Sequence, residues 1–185
     1  MADSWSAHSI RVNDARKFEA AVLPWLDAAY NLARWLMRDE AAAEDVVQEA
    51  TLRAFRYFES LRGNEARAWF LGIVRNTCFN DLKARCGRSE VAGFEDDALE
   101  QLQFDAGLTQ SGPAELLDRR RRAAQVDAAI RALPPPMREV IVLREIEGLD
   151  YAEIAAIIGA PIGTVMSRLS RARNKLKTSL ADVRV

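Results

Sequence analysis

The residues with the most evident chemistry lie in 163–177, GTVMSRLSRARNKLK, where Arg168, Arg171, Arg173, Lys175 and Lys177 occur without a single acidic residue. Val165, Leu169, Ala172 and Leu176 recur at steps of four, three and four, so one face of a helix is apolar and packs inward. Met166, Ser167, Ser170, Arg171 and Asn174 then point away, flanked by Arg168, Arg173 and Lys175. Short or polar side chains that reach base edges, with cations beside them for phosphate, are what a helix in the major groove needs. Catalytic chemistry has far less to work with. His8 is the single histidine, and no Ser/His/Asp set or glycine-rich phosphate loop is present. Cys78 and Cys86 read as ordinary reduced thiols rather than metal ligands or a bridge. No enzyme, cofactor or metal is expected.

A DNA-reading helix needs a second helix to brace it, and the preceding residues supply one. Asp150 with Glu153 three residues on forms a capping-box pattern, followed by Ile154, Ala155, Ile157 and Ile158 as core. Gly159 suits the left-handed residue of a tight turn, and Pro161 suits the start of the next helix. The whole reads as a helix-turn-helix. A solvated basic helix on some bundle would share the charge run, but not the cap, the turn and the apolar stripe together.

Helical spacing prevails upstream as well, and strand signals are nearly absent. Phe18, Val22, Trp25, Leu26, Ala29, Leu32, Ala33 and Leu36 mark a first amphipathic helix, with a kink or helix start at Pro24. Asp39 can cap a second helix with Val46, Val47, Ala50, Ala54 and Phe58 on its inner face. Residues 60–64, SLRGN, form a turn with Asn64 placed to cap a third helix. Trp69 and Phe70 on that helix could stack on bases, but core is favoured for Trp69. Residues 133–136, Leu-Pro-Pro-Pro, stop a helix that resumes at Ala114, and MREVIVLREIEG is the next, ended by Gly148.

The net charge of −1 conceals segregation along the chain. Basic residues dominate from Arg53 to Arg88; residues 89–118 hold acids and no Lys or Arg; the third block is the basic helix. The expected organisation is all-α: a tail (1–15), a helical module (16–88), a flexible acidic linker (89–113) and a second helical module with the helix-turn-helix (114–185). No apolar run approaches the roughly 20 residues that cross a bilayer, and the N-terminus shows no secretory pattern. No membrane insertion is expected, and the cytoplasm is the expected compartment.

Two blocks of this sequence resemble the extracytoplasmic-function (ECF) sigma factors. LPPPMREVIVLREIEGLDYAEIAAIIGAPIGTVMSRLSRAR is similar to region four of that family, and AEDVVQEATLRAFRYFESLRGNEARAWFLGIVRNTCFNDLKAR to region two. The resemblance implies a bacterial initiation factor that binds core RNA polymerase and promoter DNA. It implies that region two docks on the polymerase clamp helices through Asp45, Gln48, Glu49 and Leu52. Asp45, Glu49, Leu52 and Arg56 do share the helix face opposite the core stripe, a small apolar anchor in a polar rim.

The same resemblance assigns −10 recognition and melting to Ser60, Leu61, Arg62, Gly63, Asn64, Arg75 and Asn76. It assigns −35 recognition to Thr164, Met166, Ser167, Arg168, Ser170, Arg171 and Arg173. Such factors are commonly restrained by an anti-sigma factor, so that partner is implied too. For the acidic linker, a plain tether and a segment threading the polymerase channels stand level. Relatives usually carry Lys or Arg where Met166 stands; a thioether can only pack, for instance on a thymine methyl. Two other readings are a decoy that sequesters an anti-sigma factor and a repressor that works without polymerase. The repressor would explain the helix-turn-helix but not DVVQEA or SLRGN, and such decoys usually accompany a receiver domain, which is not expected here.

Overall fold

The computed structural model describes residues 14–61, 63, 65–85 and 114–181, in which the regular elements are all helices and no strand occurs. The acidic linker, Cys86, Arg62 and Asn64, including its expected capping role, lie outside the described residues.

The first amphipathic pattern is divided at Pro24. Helix α1 (14–22) gives way to a 3-10 turn, Leu23–Trp25, and α2 (Leu26–Met37) follows. Proline in this turn needs no backbone donor. Arg38 ends α2 in the left-handed region (φ 61°). Asp39 then caps α3 (Glu40–Arg56), its carboxylate accepting from the N–H groups of Ala41 (2.9 Å) and Ala42 (3.3 Å). The inner face of α3 is small: Ala42, Ala43, Val46, Ala50 and Ala54 are buried, which lets α2 and α4 approach closely.

After a 3-10 turn, Phe58–Ser60, comes α4 (Ala66–Arg85). Phe70, Leu71, Val74, Thr77, Cys78 and Phe79 are its buried residues. Trp69 packs against the core as expected, and its neighbour Phe70 joins it there. Phe70 is fully buried, whereas Trp69 is half-buried with its ring 6.4 Å from Phe58. Phe58 and Phe55 both meet the Phe18 ring edge-on, at 5.4 and 5.2 Å.

In the second module α5 (Ala114–Ala132) runs to the proline triplet, and α6 (Pro135–Ile141) begins on it. Proline is tolerated in a first helical turn, whose N–H groups have no intrahelical partner; thus the helix starts two residues before Met137. It closes in a π-helical turn, Val142–Ile146, with Gly148 at φ 69°. Helices α7 (Tyr151–Ile158) and α8 (Ile162–Ala181) form the expected helix-turn-helix, bent by 101°. The capping box is complete: Glu153 N–H donates to Asp150 and Asp150 N–H to Glu153, both at 2.8 Å. Gly159 takes the left-handed turn conformation (φ 65°). Pro161 sits just before α8, and its carbonyl accepts from Thr164 and Val165.

The two modules pack on one another. Helix α4 lies along α7 and α2 against α6, so one apolar core continues from Leu32 and Phe70 to Val140 and Ile154. The approach is close at Gly72, where a Cβ would stand 3.6 Å from the Ile157 carbonyl oxygen. Among the described residues no single helix is long and apolar enough to cross a membrane.

Candidate functional site

Helix α8 presents the face its spacing predicts. Val165, Leu169 and Ala172 are buried and Leu176 half-buried, while Met166, Ser167, Ser170, Arg171 and Asn174 are exposed. Met166 is 54% exposed, a large apolar side chain left in water at the centre of a polar face. Thr164 is half-buried, and its carbonyl accepts from the Ser167 hydroxyl at 3.0 Å.

The flanking arginines behave differently from a pair of cations aimed at phosphate. Arg173 donates twice to Glu145 (2.7 and 3.2 Å), and this bond with that to Tyr151 holds its pKa above the ordinary value. Both side chains of the Arg173–Glu145 pair are about half exposed, so the contact is readily exchanged for another anion. Arg168 is turned inward, 3.2 Å from Glu139. Its Nε is buried without a hydrogen-bond partner among the described residues.

On the other module, Asp45, Gln48, Glu49 and Leu52 are all exposed on the outer face of α3. Leu52 is 57% exposed, and Glu49 pairs with Arg53 of the same helix at 2.7 Å. The sequence reading missed Phe55 and Tyr57, which extend this apolar exposure. Phe55 lies three residues from Leu52, a spacing that places both on one helix side.

The candidate −10 residues are not all gathered. Ser60 is exposed and donates to the Tyr57 carbonyl (2.6 Å), Leu61 is half-buried, and Gly63 is exposed at φ 67°. A left-handed glycine here has open space around it, suiting close approach of a ligand to backbone. Asn76 is exposed and accepts from Arg75 at 3.1 Å. Arg75 itself lies over the Phe79 ring (4.3 Å) and donates to Glu139 through Nε at 2.8 Å. Arg75 and Arg168, assigned to different DNA elements, thus converge on one carboxylate.

Glu139 and its neighbour Arg138 are the principal residues that sequence reasoning passed over. Both are buried, at 0% and 1% exposure. Burial pushes the Glu139 carboxyl above its ordinary pKa, while Arg75 and Arg168 pull it back. All five guanidinium N–H groups of Arg138 meet carbonyls: Ile130, Arg131 and Leu133 beside it, and Trp35 and Leu36 at the end of α2. Those last two are helix C-terminal carbonyls, where a cation is favoured. Burial, with Arg38 and Arg131 nearby, pulls the Arg138 pKa down to about 9. Cys78 is buried too, its thiol pushed up to about 12, so it is a poor nucleophile.

Known proteins combine the same elements. Residues 21–86 match the Sigma-70 region 2 family and residues 123–176 the Sigma-70 region 4 family. The RNA polymerase sigma-H factor of Pseudomonas aeruginosa is 32% identical over 180 residues, spanning 96% of this chain and 93% of its own length. The ECF RNA polymerase sigma-E factor of Escherichia coli K12 is 41% identical over 136 residues, 71% of this chain and 70% of the relative. Among solved structures, the sigma factor RpoE bound to the anti-sigma factor NepR from Bartonella quintana aligns with a TM-score of 0.67 and 29% identity. That alignment covers 91% of this chain and 99% of RpoE. CnrH, solved with the cytosolic domain of CnrY, aligns with a TM-score of 0.62 and 26% identity, covering 92% and 91%. With both conserved regions in order and near-complete coverage of a relative, the chain belongs to the ECF sigma factors, which are transcription initiation factors of bacterial RNA polymerase.

Proposed function

We propose that this sigma factor docks on core polymerase through α3 and reads promoter DNA through two separate surfaces. Asp45, Gln48 and Glu49 form the polar rim of the docking surface and Leu52 its anchor, extended by Phe55. Ser60, Leu61, Arg62, Gly63, Asn64, Arg75 and Asn76 serve the −10 element; an extruded base costs a few kcal/mol, which a shaped pocket can offset. Thr164, Met166, Ser167, Ser170 and Arg171 face the −35 element, with Arg168 and Arg173 at the groove wall. Residues 16–88 and 114–185 are the two functional modules, 89–113 their tether, and the cytoplasm their compartment.

The observation that carries this reading is the outer face of α8: an acid-free row with Met166 exposed above a buried Val165–Leu169–Ala172 stripe. No packing need accounts for that exposure. An anti-sigma partner is supported by the RpoE–NepR complex, whose sigma subunit matches nearly the whole chain. Run-off transcription with purified core polymerase tests the function: the factor plus core initiates at discrete promoters and core alone does not. Specific DNA binding with no capture of core polymerase would instead favour a repressor.

A further inference from the structure

The first turns of α8 carry few groups that can hydrogen-bond to a base. In a helix-turn-helix the N-terminal residues of the second helix are the ones that meet base edges. From Ile162 to Ser170 the exposed side chains are Ile162, Met166, Ser167 and Ser170, and Gly163 adds none. The Ser167 hydroxyl donates to the Thr164 carbonyl at 3.0 Å, and Thr164 itself is half-buried. Arg168 is turned to Glu139 at 3.2 Å. Only two large side chains stand outward in this stretch, and both are apolar: Ile162 is 47% exposed and Met166 54%. They are four residues apart, hence neighbours on one side of the helix. A Cβ at Gly163 would find nothing within 4 Å, so the surface next to Ile162 is open.

Resting on the reading of α8 as the −35 face, we propose that Ile162 and Met166 together read thymine 5-methyl groups. Thymine is the one base that presents a methyl in the major groove. A single apolar side chain in water needs no explanation, but these two make a continuous apolar surface on a helix without acidic residues. Arg168, Arg171, Arg173, Lys175 and Lys177 on the same helix favour a polyanionic occupant over an apolar protein surface. Four residues rise about 6 Å along a helix, and stacked base pairs are about 3.4 Å apart. The two side chains therefore reach thymines one or two base pairs apart. Such contact withdraws both partners from water and needs no hydrogen bond. It makes Ile162, which the sequence reading did not single out, a specificity-determining residue alongside Met166. Promoters favoured by this chain then carry a closely spaced pair of thymines in the −35 element.

The test uses holoenzyme assembled from the full chain and core polymerase, which first selects −35 elements from a randomised pool. Each thymine of the selected element is then replaced singly by deoxyuridine, which lacks the methyl and keeps the base pairing. At two thymines one or two base pairs apart, affinity is expected to fall about fourfold each, the effect of exposing one methyl group. Thymines outside the element should show no change. The uridine effect should vanish at one of the two positions in Ile162→Ala and at the other in Met166→Ala. A merely structural role would not match each variant to one base. Both side chains are exposed, so the thermal melt is expected to hold. Selected elements without thymine, or uridine at every −35 thymine without loss of affinity, overturn the proposal, as does an undiminished uridine penalty in both variants. Loss of core polymerase capture in the variants also overturns it, assigning the apolar pair to a protein partner. If the parent selects no −35 sequence at all, α8 is not the reading face and the functional reading fails with the proposal. Selection without uridine sensitivity sinks the methyl contact alone.

Discussion

The outer faces of α3 and α8 are both candidate contact surfaces, yet they are wired differently. On α3 the one strong pair, Glu49–Arg53, stays within the helix, and Leu52 stands open. On α8 both flanking arginines are tied to residues of other elements, Arg168 to Glu139 and Arg173 to Glu145. The candidate docking face on α3 is therefore open as it stands, while the candidate DNA-reading face on α8 is partly occupied by the chain's own carboxylates.

The largest expected break comes at Leu52. A buried interface anchor carries about 2–4 kcal/mol, so Leu52→Asp should weaken core binding by roughly 30- to 1,000-fold. The thermal melt should hardly change, because Leu52 is exposed. Unaltered affinity in a polymerase titration would remove α3 from the docking role.

Met166→Arg is next. A bidentate arginine contact to guanine discriminates by about 1–3 kcal/mol, so selection on randomised −35 sequences should shift towards guanine at one position. Core binding should be unchanged. The same preference in both proteins would reduce Met166 to filler and weaken the case for α8 as a reading face.

Asp150→Ala separates the reading face from the element that braces it. Loss of an N-cap costs about 1 kcal/mol, so α7 should fray and the melting temperature fall. Docking through α3 should persist. A matching loss of polymerase affinity would mean that the two faces are not independent.

Glu145→Ala is the mildest. The pair it breaks is half exposed and contributes roughly 0–1 kcal/mol. Arg173 becomes available to phosphate, so the salt dependence of −35 binding should steepen by about one counterion. An unchanged slope would show that Arg173 never reaches the backbone.

Much of the molecule was readable because the decisive signals are local. Asp39, the Asp150–Glu153 box, Gly159 and the Val165–Leu169–Ala172 stripe each depend on residues within a turn or two of each other, and each is found as expected. What was missed depends on distant partners. Phe70 and Trp69 are sequence neighbours about 100° apart on a helix, and which one faces the core is decided by where α2 and α7 land. Arg138 and Glu139 look like solvent-facing charges in an amphipathic helix. Their burial follows from the other module, more than 60 positions away, which supplies Arg75 and the α2 carbonyls. Charged residues are almost never buried without partners, and one sequence gives no sign of partners so remote.

Gly72 has a consequence for how such a protein could be tuned. A Cβ there would stand 3.6 Å from the Ile157 carbonyl oxygen, an ordinary van der Waals contact that admits a methyl group. A single substitution there would act as a graded doorstop. Alanine would leave the two halves seated, whereas valine or leucine would hold them progressively ajar. How closely the two halves seat could then drift over generations through the volume of one residue, with the outer faces of α3 and α8 unaltered.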